Sequence, residues 1–334
     1  MRTLIIGAGG ISRVHADALA KLGVEVVGVY DINADNARRT AELCGSRPVK
    51  ELGEVLEHTD AVHLLTPPSK RVEYACLAMN AGKHILCEKP IASDLEDART
   101  KLDCAEKNGV IFMMAFNMRF RNGYKRLKEI VDSGDLGNPV NVFSYRHGAG
   151  SGFGGRQLSA SWRTDPALAC GISVESLSHD IDFIRSLAGE FSLVSAVTNA
   201  SVPSLPMFDN SAGVAFVMSN GAIGYINASW ASHIGKSTRG FIGDKGTAIL
   251  QGRDQWDFTE LRYKTGVDER EQIEFIGDYF SHTDSYYKEN QYFKQCVENG
   301  LRPVTTGTDG IKALAVSKAI LKSVNENRAI TIMQ

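Results

Sequence analysis

Apolar residues recur in two rhythms along this chain of 334 residues. In the first 120 positions five short runs are apolar on both faces: TLII (3–6), VEVVGVY (24–30), AVHLLT (61–66), HILC (84–87) and VIFMMAF (110–116). Between them lie segments with helical spacing. Strands buried on both faces and separated by helices predict a parallel sheet covered by helices. Right-handed crossovers then make it a doubly wound α/β domain.

After about residue 120 the rhythm changes. A helix over Tyr124–Ser133 leads to a strand at Val140–Arg146 and a glycine-rich loop at 148–155. A second helix is expected over Ser173–Leu187. Alternating runs follow: GVAFVMS and AIGYINASW flank Asn220-Gly221, a dipeptide suited to a type I′ hairpin turn. GFIG and TAILQ flank Asp244-Lys245-Gly246 in the same way, and helices near Ser285–Asn299 and Asp309–Asn325 close the chain. The expected organisation is a parallel-sheet α/β domain over 1–120 and a second domain of α+β type, with antiparallel strands, over 121–334.

Composition excludes several classes. An apolar fraction of 43% and a charged fraction of 23% rule out chain-wide disorder. Lys plus Arg number 37 against 39 Asp plus Glu, so no basic surface is expected for nucleic acid. The longest uncharged stretch, Asn210–Gly235, contains three asparagines, four serines and His233, and reads as paired strands, not a membrane span. The chain enters a strand and a glycine turn at once, with no signal-peptide pattern. Six cysteines, none in a C-x-x-C pair, read as reduced thiols of a cytoplasmic protein, with no zinc site.

The first candidate chemistry is Gly7-Ala8-Gly9-Gly10-Ile11-Ser12, between the first strand and a helix. Gly7 permits a tight turn, and Gly9 lets backbone N–H groups approach a pyrophosphate at the helix N-terminus. Ser12 holds the third fingerprint position, where a small side chain is needed. Asp31 ends the second strand, where an acceptor for ribose hydroxyls belongs. Its carboxylate would repel a 2′-phosphate by about 1–4 kcal/mol at contact, which favours NAD over NADP. Arg38 and Arg39 could offset that repulsion, or simply form a solvated helix face.

Glu88-Lys89-Pro90 ends the fourth strand at the sheet's carboxyl edge, where such folds bind ligands. Lys89 could stabilise a developing alkoxide; an ordinary exposed lysine is the competing reading. On the helix from Ser173, Glu175, His179 and Asp182 recur at i, i+4 and i+7 along one edge, apart from the apolar stripe of Leu177, Ile181 and Ile184. A histidine flanked by carboxylates can act as a general base near neutral pH. A solvated acidic face with an incidental histidine explains the same spacing.

These residues carry a resemblance. GAGGISRVHADAL (7–19), CEKP (87–90), MRF (118–120), GISVESLSHDID (171–182), FIGDKG (241–246) and YYKENQYFKQCVENG (286–300) resemble the Gfo/Idh/MocA oxidoreductases along essentially the whole chain. The resemblance implies an N-terminal NAD(P)-binding Rossmann domain and a C-terminal α+β domain with a mainly antiparallel open sheet. It implies NAD(P)-linked hydride transfer at a secondary carbinol of a sugar, cyclitol or sugar derivative. It also implies a homodimer or homotetramer built on the open C-terminal sheet. Lys89 and His179 would be catalytic, with Glu175 as a third member. Gly7, Gly9, Gly10, Ile11, Ser12, Asp31, Thr66, Pro67, Glu88 and Lys89 would hold the cofactor. Arg119, Trp162, Arg163 and Tyr286, with Lys89, Glu175 and His179, would line the substrate pocket. Two departures stand out: Glu175 replaces the usual Asp, and Cys170-Gly171 replaces Gly-Gly. The loop at 148–155 reads as a flap or an ordinary surface loop. Two other functions suit the fold: a glycosidase or transferase with transient redox chemistry, and a dinucleotide-sensing regulator.

Overall fold

A computed structural model of the chain describes residues 1–148, 165, 168–200, 208–253, 257–277 and 282–333. Trp162, Arg163 and most of the 148–155 loop lie outside them. The chain divides into two units. One comprises Met1–Asn117 with Thr283–Leu314, the other Met118–His282 with Ala315–Gln334.

In the first unit, β1 (Arg2–Ile6), β2 (Glu25–Tyr30), β3 (Ala61–Leu64), β4 (His84–Glu88) and β5 (Phe112–Ala115) form a parallel sheet in the order β2-β1-β3-β4-β5. The helices are α1 (Ser12–Lys21), α2 (Ala34–Leu43), α3 (Gly53–Leu56), α4 (Arg71–Asn80) and α5 (Leu95–Asn108). Every residue of β3 and β5 is buried, as strands covered on both faces must be. Local chemistry sets the helix ends. Asn33 caps α2 by accepting from the N–H groups of Asp35 and Asn36, Asp94 caps α5, and α5 stops at Gly109, whose φ is 61°. The strand order reverses between β1 and β3, so the ligand crevice of such a sheet opens at the carboxyl ends of those two strands.

The second unit holds α6 (Asn122–Asp132), β6 (Pro139–His147), α7 (Leu177–Ala188), β7 (Phe191–Asn199), β8 (Ser211–Met218), β9 (Ile223–Ser229), β10 (Lys236–Gly243), β11 (Thr247–Gly252), β12 (Glu260–Lys264) and β13 (Gln272–Phe275). With β14 (Ile330–Thr331) these strands form one sheet in the order β13-β12-β11-β10-β6-β9-β8-β7-β14. Among the described strands of this sheet only β6 and β9 pair in parallel, so it is mainly antiparallel, as expected.

Two local expectations need correction. The turn at Asn220-Gly221 is not type I′, because Gly221 has a positive φ (90°) and Asn220 does not. Gly221 N–H bonds to Met218 O and Met218 N–H to Ala222 O, the pattern of a three-residue loop with a glycine bulge. The helix expected from Ser173 opens as a π-turn over Ile172–Ser176 before α7 begins. Glu175 therefore sits in a wider turn than His179, and the two do not share one α-helical i, i+4 register.

One face of this sheet packs on α6 and α7. The other is open and apolar: Val197 is 71% exposed, and Ile223 and Tyr225 are exposed beside it. Tyr225 stacks on Phe143 with ring centroids 5.3 Å apart. Gly240, opposite Phe143 in register, is required there, since a Cβ would meet the Phe143 ring at 2.3 Å.

Residues 283–314 then return to the first unit with most of α8 (His282–Asn299) and the start of α9 (Gly307–Glu326). Thr305 docks against β5: its hydroxyl donates to Met114 O at 2.7 Å, and Met114 N–H to Thr305 O at 3.1 Å. No helix among the described residues is long and apolar enough to cross a membrane. All six cysteines are free, yet Cys76 on α4 and Cys104 on α5 place their sulfurs 2.6 Å apart, a proximity their spacing does not reveal.

Candidate active site

The turn after β1 is built for a close approach. Gly7 has φ 97°, and a Cβ there would lie 2.7 Å from the backbone of Leu65 and Thr66. At Gly9 and Gly10 an added Cβ would meet nothing within 4 Å, so the outer side of the turn is open. No side chain caps α1 behind it. Ser12 is fully buried and its hydroxyl lies 3.1 Å from that of Thr40 on α2, which explains a small polar residue at this position.

Asp31 faces this turn. One carboxylate oxygen accepts from Ala8 N–H at 2.6 Å and the other from Asn33 N–H at 2.8 Å. Each oxygen keeps a free lone pair for a ribose hydroxyl. Arg38 is paired with Asp35 at 2.9 Å and Arg39 donates to Asn36 at 2.6 Å, so both cations are engaged along their own helix. Across the crevice, the buried hydroxyls of Thr66 and Ser69 have no hydrogen-bond partner among the described residues. A tight glycine turn, an uncapped helix, a fixed carboxylate and two orphaned hydroxyls fit a dinucleotide.

The loop after β4 is fixed by two cations. Arg71 of α4 donates to the carbonyls of Glu88 and Pro90, and through Nε to Thr66 O at 2.8 Å. Lys101 of α5, fully buried, donates to Ile91 O. The Lys89-Pro90 peptide is cis. The Glu88 carboxylate turns inward, accepting from Lys89 N–H at 3.0 Å and facing His15 Nε2 at 3.2 Å. Burial pushes its pKa up, but the His15 hydrogen bond and the charges of Lys89 and Arg71 hold it below the usual carboxylate value.

His15 belongs to a buried polar array that periodicity alone does not reveal. Asn290 of α8 contacts both His15 Nδ1 (3.1 Å) and His63 Nε2 (2.8 Å), and Thr3 contacts His63 Nδ1 (2.8 Å). Tyr286, placed in the substrate pocket by resemblance, is buried with its ring edge-on to His15, 5.3 Å between centroids. The signal in the sequence was the polar pair Glu289-Asn290 within the aromatic spacing of Tyr286 and Phe293.

In the second unit, Glu175, His179 and Asp182 are all at most 4% exposed, so the solvated-face reading is excluded. Asp182 is taken up by Arg119 in a bidentate pair at 2.8 and 2.6 Å. Asp180 is buried between two guanidiniums and a hydroxyl: Arg146 Nη2 at 2.8 Å, Arg239 Nη2 at 3.3 Å and Ser144 Oγ at 2.7 Å. Burial raises its pKa, and the two arginines and Ser144 more than offset that, holding it low. Arg146 also donates to Ser176 Oγ at 2.8 Å, fastening the end of the π-turn. His179 thus sits on a helix tied to β6 and β10 at the next residue. No group of His, Cys, Asp and Glu among the described residues could hold a metal ion.

Comparison with known proteins places this architecture. The profile of an oxidoreductase family with an NAD-binding Rossmann fold, Gfo/Idh/MocA, matches residues 1–116, and that of the Gfo/Idh/MocA C-terminal domain matches 124–249. The chain is 28% identical over 343 residues to the myo-inositol 2-dehydrogenase of Thermotoga maritima, covering 99% of this chain and 98% of that protein. It is 37% identical over 139 residues to the glucose-6-phosphate 3-dehydrogenase of Bacillus subtilis, a match spanning 41% of this chain and 40% of that protein. Among solved structures, a levoglucosan dehydrogenase in complex with NADH and levoglucosan superposes with a TM-score of 0.90 at 21% identity, covering both chains fully, a likeness of fold.

Proposed function

Because the chain belongs to the Gfo/Idh/MocA family of NAD-binding oxidoreductases, we propose that it is a dehydrogenase acting on a secondary alcohol of a sugar or cyclitol. The observation that carries the reading is the Gly7–Asp31 cradle, together with full-length similarity to an inositol dehydrogenase. A nicotinamide dinucleotide bound there supplies the hydride acceptor. Gly7, Gly9, Gly10, Ile11 and Ser12 would hold the pyrophosphate, Asp31 the adenosine ribose, and Thr66, Pro67 and Glu88 the nicotinamide end. Lys89 donates to the substrate oxygen and stabilises the negative charge that develops on it. His179 takes the hydroxyl proton, and Glu175 orients it or contacts the substrate. Arg119, with Trp162, Arg163 and Tyr286, contributes to substrate binding. The protein works in the cytoplasm on a small polyol.

NAD is the preferred cofactor. The Asp31 carboxylate repels a 2′-phosphate, and Arg38 and Arg39 are engaged elsewhere. Calorimetric titration should give NADP+ a dissociation constant at least roughly tenfold weaker than that of NAD+. In Asp31→Ser the two should differ by less than about threefold. Equal binding of both by the unaltered protein would refute the assignment.

The open sheet face supports a homodimer or homotetramer, since apolar surface of this kind marks an interface. Light scattering coupled to gel filtration should give an oligomer for the unaltered chain. The double variant Val197→Asp, Tyr225→Asp should run as a monomer. An unaltered chain that is monomeric at micromolar concentration contradicts this interface.

A further inference from the structure

The buried array beneath the Glu88–Lys89 loop has a polarity that one contact decides. Asn290 Nδ2 lies 2.7 Å from Tyr286 O, a pure acceptor, so that atom is the amide nitrogen. With the amide so fixed, its nitrogen lies nearer to His15 Nδ1 than its oxygen does, 3.1 against 3.4 Å, so Nδ2 donates to Nδ1 and His15 carries its proton on Nε2, facing Glu88. The amide oxygen accepts from His63 Nε2–H, so His63 Nδ1, 2.8 Å from the Thr3 hydroxyl, is left to accept that hydroxyl's proton in competition with Ala61 O at 2.9 Å. His15, His63 and Asn290 are all fully buried. A reversed amide would set oxygen against the Tyr286 carbonyl and leave a bare imidazole nitrogen facing the Glu88 carboxylate.

We propose that Asn290 is a positioning residue which, through His15, sets the hydrogen bond received by Glu88 and so the charge that stands behind Lys89. Glu88 is faced by His15 from α1, Arg71 from α4, Glu289 from α8, and Cys87 and Lys89 of its own segment. Glu289 is fully buried, and neither of its oxygens has a hydrogen-bond partner among the described residues. Burial, and then the charge on Glu88, push its pKa well above the ordinary value. Two carboxyls thus share one site in unlike environments. Glu88, with donors, keeps the charge, and Glu289, without them, keeps its proton. His63 takes no part as a cation, because burial draws its pKa down to about 3.

This inference rests on the reading of Glu88 and Lys89 as the cofactor- and substrate-facing loop, but its first test does not. Long-range proton–nitrogen correlation spectra of the protein labelled at its histidines report each ring's tautomer. They should show His15 and His63 protonated on Nε2 at neutral pH. A His15 ring protonated on Nδ1, alone or in addition, overturns the proposal even if no substrate is known. In Asn290→Asp the residue offers only acceptors, so the His15 signature should change to one with a proton on Nδ1. The functional arm compares His15→Gln, which can still donate to Glu88, with His15→Leu, which cannot. The Leu variant should lose about 10- to 100-fold in kcat/KM and shift the pH profile, with the Gln variant within about fivefold of the unaltered protein. Equal losses in both variants, with unmoved pH profiles, would mean a structural role only. If no activity is found at all, the dehydrogenase reading fails while the tautomer result stands.

Discussion

Replacing His179 by Ala is expected to lower kcat by about 10²–10⁴-fold at neutral pH, with the NAD+ dissociation constant nearly unchanged. The expectation follows from separate duties within the chain. The glycine turn, Asp31, Thr66 and Ser69 belong to the first unit and do not depend on an imidazole carried by the second. Without that imidazole the hydroxyl proton loses its proposed base, and the remaining rate should climb with pH as solvent hydroxide substitutes for it. Lys89→Met should cost about 10²–10³-fold for the complementary reason, loss of the donor proposed to stabilise the developing oxyanion. Thermal melting within a few degrees of the unaltered protein would separate these effects from misfolding. Full activity in either variant would remove that residue from the mechanism.

Asp180→Ala should be the most destabilising single change in the second unit, by about 3–5 kcal/mol. The carboxylate is the shared acceptor of Arg146, Arg239 and Ser144, all fully or almost fully buried, and its loss strands two cations in a dry interior. Urea unfolding followed by fluorescence reads the effect. The pH dependence has a definite sign. The folded-state pKa of Asp180 is depressed, so its contribution is present above the ordinary carboxylate range and is lost as pH falls through the lowered value. The stability gap between Asp180→Ala and the unaltered protein should therefore narrow in strong acid. A gap below about 1 kcal/mol at neutral pH would show that the two guanidiniums find other partners.

Much of this arrangement could be read from one sequence, for identifiable reasons. The strands of the first unit are buried on both faces, and their continuous apolar runs leave no competing period. The glycine turn and Asp31 announce themselves because φ at Gly7 and the carboxylate at a strand end are local requirements. What stayed hidden depends on partners far along the chain. Asp182 reads as one edge of a helix until Arg119, 63 positions away, takes it up. Asp180 draws no notice until β6 and β10 bring Arg146 and Arg239 to it. The π-turn escaped because ISVES has the same apolar spacing whether four or five residues fill a turn. Likewise, nothing in the α1 sequence says that His15 faces Asn290, 275 positions later, because only the returning segment 283–314 brings them together.

The central claim is that this chain moves hydride between a nicotinamide dinucleotide and a sugar or cyclitol. The most direct measurement is the ultraviolet absorbance of NADH as the purified protein meets NAD+ with inositols, aldoses, sugar phosphates and sugar acids in turn. The account predicts that at least one cyclitol or sugar reduces NAD+ at about 1 s⁻¹ or faster, and that NADP+ supports the same reaction poorly. Tight NAD+ binding with no turnover across the whole panel, in either direction, would contradict it and leave a dinucleotide-binding protein without a dehydrogenase reaction.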